Sequence, residues 1–150
     1  MIPRQAFGRT GHQSSHLIFG AAALGTDHVD LWQMHVLVEE DEWEKAMGEG
    51  GALEAFVEAR ESGKARFLGV TGHGMNAPAM HLRSLRRFDF DSVLFPWNWP
   101  LSRNPDYASA VGELVGECRG RNVAYQLIKA FLRKPWGERP HTSATWHASR

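Results

Sequence analysis

The sequence has 150 residues, of which 43% are hydrophobic and 23% are charged, values that are ordinary for a single globular domain. Its 17 basic residues balance 17 acidic ones, so the chain has no net field that would attract nucleic acid or an anionic membrane surface. Composition therefore argues against a nucleic-acid binder and against a membrane-surface protein.

The single cysteine, Cys118, cannot form an internal disulfide, which favours a reducing compartment. The amino terminus lacks the basic start and the apolar run of a signal peptide, and no apolar run approaches the ~20 residues needed to span a bilayer. The expected location is the cytoplasm, and neither nucleic acid nor a membrane is an expected partner.

The first predicted element is a hairpin, because residues 7–12 have the composition of a turn between two short strands. Gly8 and Gly11 are free to adopt positive φ there. A weaker strand candidate follows at Leu17 to Gly20. Four longer apolar runs then have the near-continuous hydrophobicity of buried parallel strands. These runs are Val29–Val36, Ala65–Thr71, Asp91–Asn98 and Val123–Lys129.

Helices are predicted in the intervals between these strands. The first has apolar positions spaced i, i+3, i+4 and i+7 from Leu53, and Gly63 supplies a left-handed stop. The second is Pro78–Arg87, with a proline suited to a first turn. The third is capped by Asn104, with Pro105 at its first position. Alternating strands and helices predict an α/β fold with a mainly parallel sheet.

Several of these segments resemble the aldo/keto reductases, (β/α)8-barrel enzymes that reduce carbonyl compounds with NADPH. The hairpin and residues 19–25 resemble the opening hairpin and first strand of that family, and Thr26–His35 resembles its fourth strand. The segments that resemble its fourth helix through its seventh strand are 51–55, 63–73, 95–98 and 128–133. The order of the segments matches the family along nearly the whole chain.

The resemblance implies a partial TIM-type (β/α) barrel of about four to five mostly parallel strands, without the family's second, third and eighth strands. A complete barrel needs ~250 residues, and we interpret the short interval after the first strand as an internal deletion. A single incomplete domain is expected. Its parts would be residues 1–25 for the hairpin and first strand, 26–134 for the fourth to seventh βα units, and 135–150 for a loop and tail.

The resemblance also implies site residues. The family protonates the carbonyl with a tyrosine, which is assisted by a lysine, an aspartate and a histidine; only the histidine has a counterpart here, His35. Thr71 and His73 match the turn that contacts the nicotinamide amide. Asn98 matches the end of the sixth strand, and Lys129 matches a position along NADPH. The sixth strand departs from the family where Leu94 replaces a glutamine.

Without the resemblance, several residues have simpler interpretations. His35 is then more typical of a strand-end histidine in a structural role, and Lys129 is equally consistent with a solvated lysine. Tyr107 and Tyr125 are expected in the core or on the surface, away from the carboxyl ends of the strands. Trp97 and Trp99 would either form the wall of a pocket or pack beneath it.

No metal site is expected. His12 and His16 are four residues apart, a spacing that serves a metal only on a helix, and Gly11 with the two following serines favours a turn instead. His141 and His147 form a second pair without a recognisable ligand pattern.

The expected function is NADPH-dependent reduction of an aldehyde or ketone, with the chain inactive by itself because the acid tyrosine, its lysine and its aspartate have no counterparts. A second copy or a partner fragment would be needed to complete the site around His35. The alternative is a module that binds a nicotinamide nucleotide without catalysis, or one that self-associates. Self-association would use the open sheet edges at Val29–Val36 and Val123–Lys129.

Overall fold

The structure, a computed structural model, describes residues 4–11, 13–15 and 28–130. An amino-terminal hairpin precedes an alternation of strands and helices. The strands are β1 (Arg4–Ala6), β2 (Gln13–Ser15), β3 (Val29–Met34), β4 (Ala65–Thr71), β5 (Ser92–Pro96) and β6 (Ala124–Ile128). The helices are α1 (Glu40–Met47), α2 (Ala52–Glu61), α3 (Ala77–Arg87), α4 (Trp99–Ser102) and α5 (Pro105–Gly120), with a 3-10 turn at Gly8–Thr10.

The four longer strands form one parallel sheet in the order β3-β4-β5-β6. This arrangement confirms the predicted α/β fold class, with the strands in the order of consecutive βα units. Three strands end earlier than predicted, at Met34, Pro96 and Ile128. After two of them, Val36 and Lys129 adopt positive φ values of 51° and 60°, which do not continue a strand. The weaker strand candidate at residues 17–20 and the predicted tail at 135–150 lie outside the described residues.

The predicted hairpin and the three predicted helices are all present. β1 and β2 pair antiparallel, and Gly8 and Gly11 both have positive φ. The α2 helix is followed by Gly63 at φ 77°. Asn104 caps α5 through its Oδ1, which accepts the backbone N–H of Tyr107 at 3.0 Å. The α1 helix was not predicted.

One face of the parallel sheet is dry because helices pack on it. Leu68, Val70, Val93 and Phe95 alternate along β4 and β5 and are fully buried, which contributes roughly 1.5–3 kcal/mol for each side chain of this size. At the β3 edge of the same face, Trp32 stacks on Phe56 of α2 with ring centroids 4.2 Å apart. The core therefore lies between the sheet and its helices.

The opposite face of the sheet carries a polar bridge across three strands. The Gln33 amide donates to Ser92 Oγ and to Gln126 Oε1, each at 3.0 Å. Gly69 lies between Gln33 and Ser92 in the strand register, and a Cβ there would collide with the Ser92 side chain. The bridge from β3 to β5 thus depends on a glycine in β4.

The amino-terminal hairpin docks on the amino ends of β5 and β6 through Arg9. Its guanidinium forms an ion pair with Asp89 at 2.7 Å and a longer contact with Asp91 at 3.5 Å. Its backbone N–H donates to Asn122 O at 2.8 Å. Gly8, at φ 56°, packs so closely that a Cβ would lie 2.6 Å from the backbone nitrogen of Ala124. The hairpin is therefore a docked part of the fold.

A histidine is buried in the helical layer. His81 of α3 is fully buried, and its Nε2 lies 2.9 Å from Leu94 O, so this nitrogen must carry the proton that it donates. Nδ1 has no hydrogen-bond partner among the described residues. Burial lowers the pKa of His81 to about 4, and the bond to Leu94 opposes the shift only in part. The ring is neutral at pH 7.

We expect His81 to make the fold acid-sensitive. The unfolded chain takes up a proton on this ring below about pH 6.5, whereas the folded chain does so only near pH 4. Stability is therefore unaffected above pH 6.5 and falls by roughly 3 kcal/mol as the pH drops to 4. Urea unfolding of the wild type and of His81→Gln, which keeps a donor but does not titrate, measures this contribution. Parallel pH profiles for the two proteins would contradict it.

The β6 edge exposes apolar side chains. Leu127 is 47% exposed and Tyr125 is 38% exposed. No other strand pairs with the outer edge of β6 in residues 4–11, 13–15 or 28–130. An uncovered strand edge of this kind favours pairing with another chain.

We expect Leu127→Lys to reduce self-association, because a lysine on an edge strand disfavours pairing between edges. Light scattering across a concentration series measures the average mass. Ser109→Lys is the matched control, since it adds the same charge at an exposed position on α5. A wild-type chain that stays monomeric at the highest concentration would contradict the expectation.

Candidate functional site at the carboxyl edge of the sheet

The predicted site residues gather at one edge, because the four parallel strands all end there. His35 directly follows β3, and Thr71 is the last residue of β4, with His73 two residues later. Asn98 follows β5 and begins α4, and Lys129 directly follows β6. In parallel α/β folds this edge is where ligands bind.

The two histidines and the lysine form a cluster. The rings of His35 and His73 meet edge to face, with centroids 6.0 Å apart. Burial lowers the pKa of His73, and the positive charges of Lys129 and His35 lower it further. His73 Nδ1 is buried without a hydrogen-bond partner among the described residues. His73 is therefore neutral at pH 7 and retains unused hydrogen-bonding capacity.

The backbone is constrained at two points of this cluster. Val36, directly after His35, has a φ of 51°, and Lys129 has a φ of 60°. A left-handed conformation is unfavourable for a β-branched residue and uncommon for a lysine, and such residues concentrate at functional sites. Of the three described non-glycine residues with positive φ, these two lie at the carboxyl edge.

The Thr71 hydroxyl is engaged in hydrogen bonds within the protein. Its Oγ1 donates to Met34 O at 3.1 Å and accepts the N–H of Val36 at 3.0 Å. The side chain is buried, and its only hydrogen-bond donor is engaged. Thr71 thus positions the turn that carries His35, and a single lone pair remains for the predicted contact with a nicotinamide amide.

Asn98 also makes structural hydrogen bonds. Its Oδ1 accepts the N–H of Leu101 at 3.0 Å and so caps α4, while its Nδ2 donates to Lys129 O at 3.1 Å. The amide ties the end of β5 to the end of β6 and stabilises the turn at Lys129. One N–H remains for the cofactor contact predicted for Asn98.

A small pocket of about 220 Å³ opens beside Lys129. It lies between the β4–α3 turn, the β5–α4 segment and the end of β6, and it is lined by Gly74, Met75, Pro96, Asn98, Pro100, Leu101 and Lys129. Trp99 is next to two of these residues in the chain and is 74% exposed, with the Arg103 guanidinium 5.5 Å from its ring centroid. Trp97 instead stacks on Tyr107 beneath this surface.

The apolar pocket lining was not predicted from the sequence. Met75, Pro100 and Leu101 follow strands β4 and β5 by a few residues, so their position after parallel strands was the available signal. Proline and methionine in such turns are usually interpreted as turn chemistry or core packing, which conceals a lining role.

Neither tyrosine of the chain can serve as the acid at this edge. The Tyr107 hydroxyl donates to Pro96 O at 2.6 Å, and burial raises its pKa to about 12. Tyr125 is the second residue of β6 and therefore lies toward the opposite edge of the sheet. The structural role predicted for Tyr107 is confirmed, because its ring and hydroxyl are both committed to the core.

No metal-binding cluster is evident at this edge. In the part of the chain that the structure describes, no three histidine, cysteine or acidic side chains are grouped to hold a metal ion. The two histidine pairs considered in the sequence lie outside that part: His12 with His16, and His141 with His147.

Among the described residues, none of the helices has the length and the apolar character that a membrane-crossing helix needs.

Comparison with known proteins identifies the fold. No protein-family model and no curated protein matches the sequence. Among solved structures, the holo form of an aldo-keto reductase from Bacillus halodurans aligns with a TM-score of 0.50 and 21% identity, over 79% of this chain and 36% of that one. An aldo-keto reductase from Pseudomonas aeruginosa aligns with a TM-score of 0.49 and 15% identity, over 71% of this chain and 36% of that one.

The Bacillus halodurans likeness shows that the chain has the fold of part of an aldo-keto reductase barrel, as the resemblance in sequence implied. The chain spans 36% of the length of either solved structure. The four parallel strands of the sheet lie side by side in chain order.

We expect Thr71→Val to destabilise the fold by about 1–3 kcal/mol, because the Val36 N–H and the Met34 carbonyl lose a buried partner. Thr71→Ser keeps the hydroxyl and is the matched control. The free energy of unfolding in urea distinguishes the two variants. Equal losses for both would show that the hydroxyl contributes nothing.

Proposed function

We propose that the carboxyl edge is a reductase-type site that binds a nicotinamide nucleotide and a carbonyl compound but does not complete the reduction in this chain alone. The single observation that supports this best is the meeting of His35 and His73 where β3 and β4 end, next to Lys129. These residues come from three of the strands and converge at the edge where barrel enzymes act.

The residues present offer suitable contacts for the nucleotide. Nδ1 of His73 is a buried polar atom without a partner in the described part of the chain, and it is suited to an amide or hydroxyl group. Lys129 is exposed and makes no ion pair with another described residue. Its ammonium group is therefore available to contact a phosphate. Thr71 and Asn98 each keep one free hydrogen-bonding position. Bound at this edge, NADPH would supply the hydride for carbonyl reduction.

The chain's own residues orient a carbonyl group but do not protonate it well. A carbonyl oxygen that gains a hydride must also gain a proton from an acid within hydrogen-bond reach. His35 supplies an imidazole at the end of β3, whereas the hydroxyl of Tyr107 is already engaged and poorly acidic. A supplied partner fragment or a second copy would have to contribute the acid.

We expect NADPH to bind saturably but weakly, because only the Lys129 side chain meets a phosphate among the contacts identified. The fluorescence of NADPH should change as the protein is added. Lys129→Gln should weaken the binding about threefold to fivefold, the effect of one exposed ion pair. Arg66→Gln is the control, since Arg66 is an exposed cation near the amino end of β4.

The same preparation tests catalysis. With a panel of aldehydes, absorbance at the nicotinamide band should stay constant, because no acid is in place. Steady oxidation of NADPH by the wild-type chain, lost in His35→Ala, would overturn the inactivity. A fluorescence change that Lys129→Gln leaves untouched would overturn binding at this edge.

A further inference from the structure

We propose that the pocket beside Lys129 binds a small organic carboxylate with an apolar body. The proposal rests on the proposed function for one point only, that the carboxyl edge is a ligand site. It adds the chemical class of the ligand and assigns it to the pocket formed by the β4–α3 turn, the β5–α4 segment and Lys129.

The charge of Lys129 favours an anionic ligand. Lys129 has no carboxylate partner among residues 4–11, 13–15 and 28–130, whereas Arg9, Arg83 and Arg121 each form an ion pair. The positive charge of Lys129 contributes to the lowered pKa of His73, which directly precedes Gly74 of the pocket lining. An anion bound at Lys129 would offset that charge, since an opposite charge favours the protonated imidazole.

The mainly apolar lining of the pocket favours a ligand with an apolar body. Apart from Lys129 and Asn98, the pocket is lined by residues without a polar side-chain group, namely Gly74, Met75, Pro96, Pro100 and Leu101. The Asn98 amide is mostly engaged with the backbone. An inorganic anion would lose its hydration against such a wall without replacement hydrogen bonds. A carboxylate attached to an apolar body would instead bury that body while its charge meets the lysine.

The volume of the pocket and the backbone conformation at Lys129 also suit a ligand of this class. A volume of about 220 Å³ is below that of pockets for drug-sized molecules and suits a ligand of about one ring. The backbone of Lys129 has a φ of 60°, and its carbonyl accepts a bond from Asn98, so the backbone that carries the lysine is anchored without a ligand. A lysine acts as a point charge and needs no bidentate geometry, which suits a single carboxylate.

Benzoate is the probe, and neutral benzamide and inorganic phosphate are its controls. The C2 proton of His73 in NMR spectra, assigned by its loss in His73→Gln, reports both occupancy and protonation. We expect saturable shifts with benzoate that bring the pKa of His73 back toward its ordinary value of 6.5. Benzamide lacks the charge and phosphate lacks the apolar body, so neither should saturate at the same concentration.

Substitutions at position 129 test the anchor. Lys129→Gln should weaken benzoate binding roughly fivefold and raise the pKa of His73 in the free protein. Lys129→Arg keeps the charge and should keep binding, and the remote Arg66→Gln should change nothing. Absence of saturation with benzoate, or equal binding of phosphate or of the Lys129→Gln protein, would overturn the proposal.

These titrations contain no NADPH, so they separate this inference from the proposed function. Benzoate binding without NADPH binding would support the carboxylate pocket and contradict the nucleotide site. NADPH binding without benzoate binding would support the nucleotide site and contradict the carboxylate pocket.

Discussion

The dry face of the parallel sheet is the constraint on which the remaining structure depends. Val70 and Val93 pair across β4 and β5, and both are fully buried under the helices. A slip of one residue would turn this row outward and force Ser92 into the apolar layer, so the register is strongly specified. The same register brings the four carboxyl ends to one edge, where the candidate site lies.

The sequence predicted the sheet well because buried parallel strands have a simple signature. Ala65–Thr71 is nearly continuously apolar, and its predicted bounds match β4. The cap at Asn104 was predictable for a similar reason, since an asparagine before a proline has one favourable role at a helix start. These signals are local, so they do not require knowledge of what packs nearby.

Features that depend on tertiary contacts were not predicted. Half of the α1 helix is acidic, and its two buried residues, Trp43 and Met47, are too few to show a period. Trp43 is fixed instead by a hydrogen bond from its indole to Ser84 Oγ, a partner 41 residues away. The strand ends at Met34 and Ile128 were missed because neither valine nor lysine is a residue type that signals the positive φ found at Val36 and Lys129.

The composition of the candidate site was predicted better than the chemistry of its members. His35, Thr71, His73, Asn98 and Lys129 do converge, because strand order alone places them at one edge. The commitment of the Thr71 hydroxyl and the Asn98 amide to backbone groups depends on distances that no sequence pattern encodes. The two side chains therefore support the site, Lys129 gives it its charge, and the histidines supply its imidazole groups.

The docking of the hairpin through Arg9 has a consequence for the order of assembly. Its receptor combines Asp91, which precedes β5, with Asn122, which precedes β6, and Arg9 is separated from Asp91 by 82 positions. That receptor does not exist until β5 and β6 are side by side. The hairpin is thus made before its receptor but docks after it, and a docked hairpin reports that β5 and β6 are already paired.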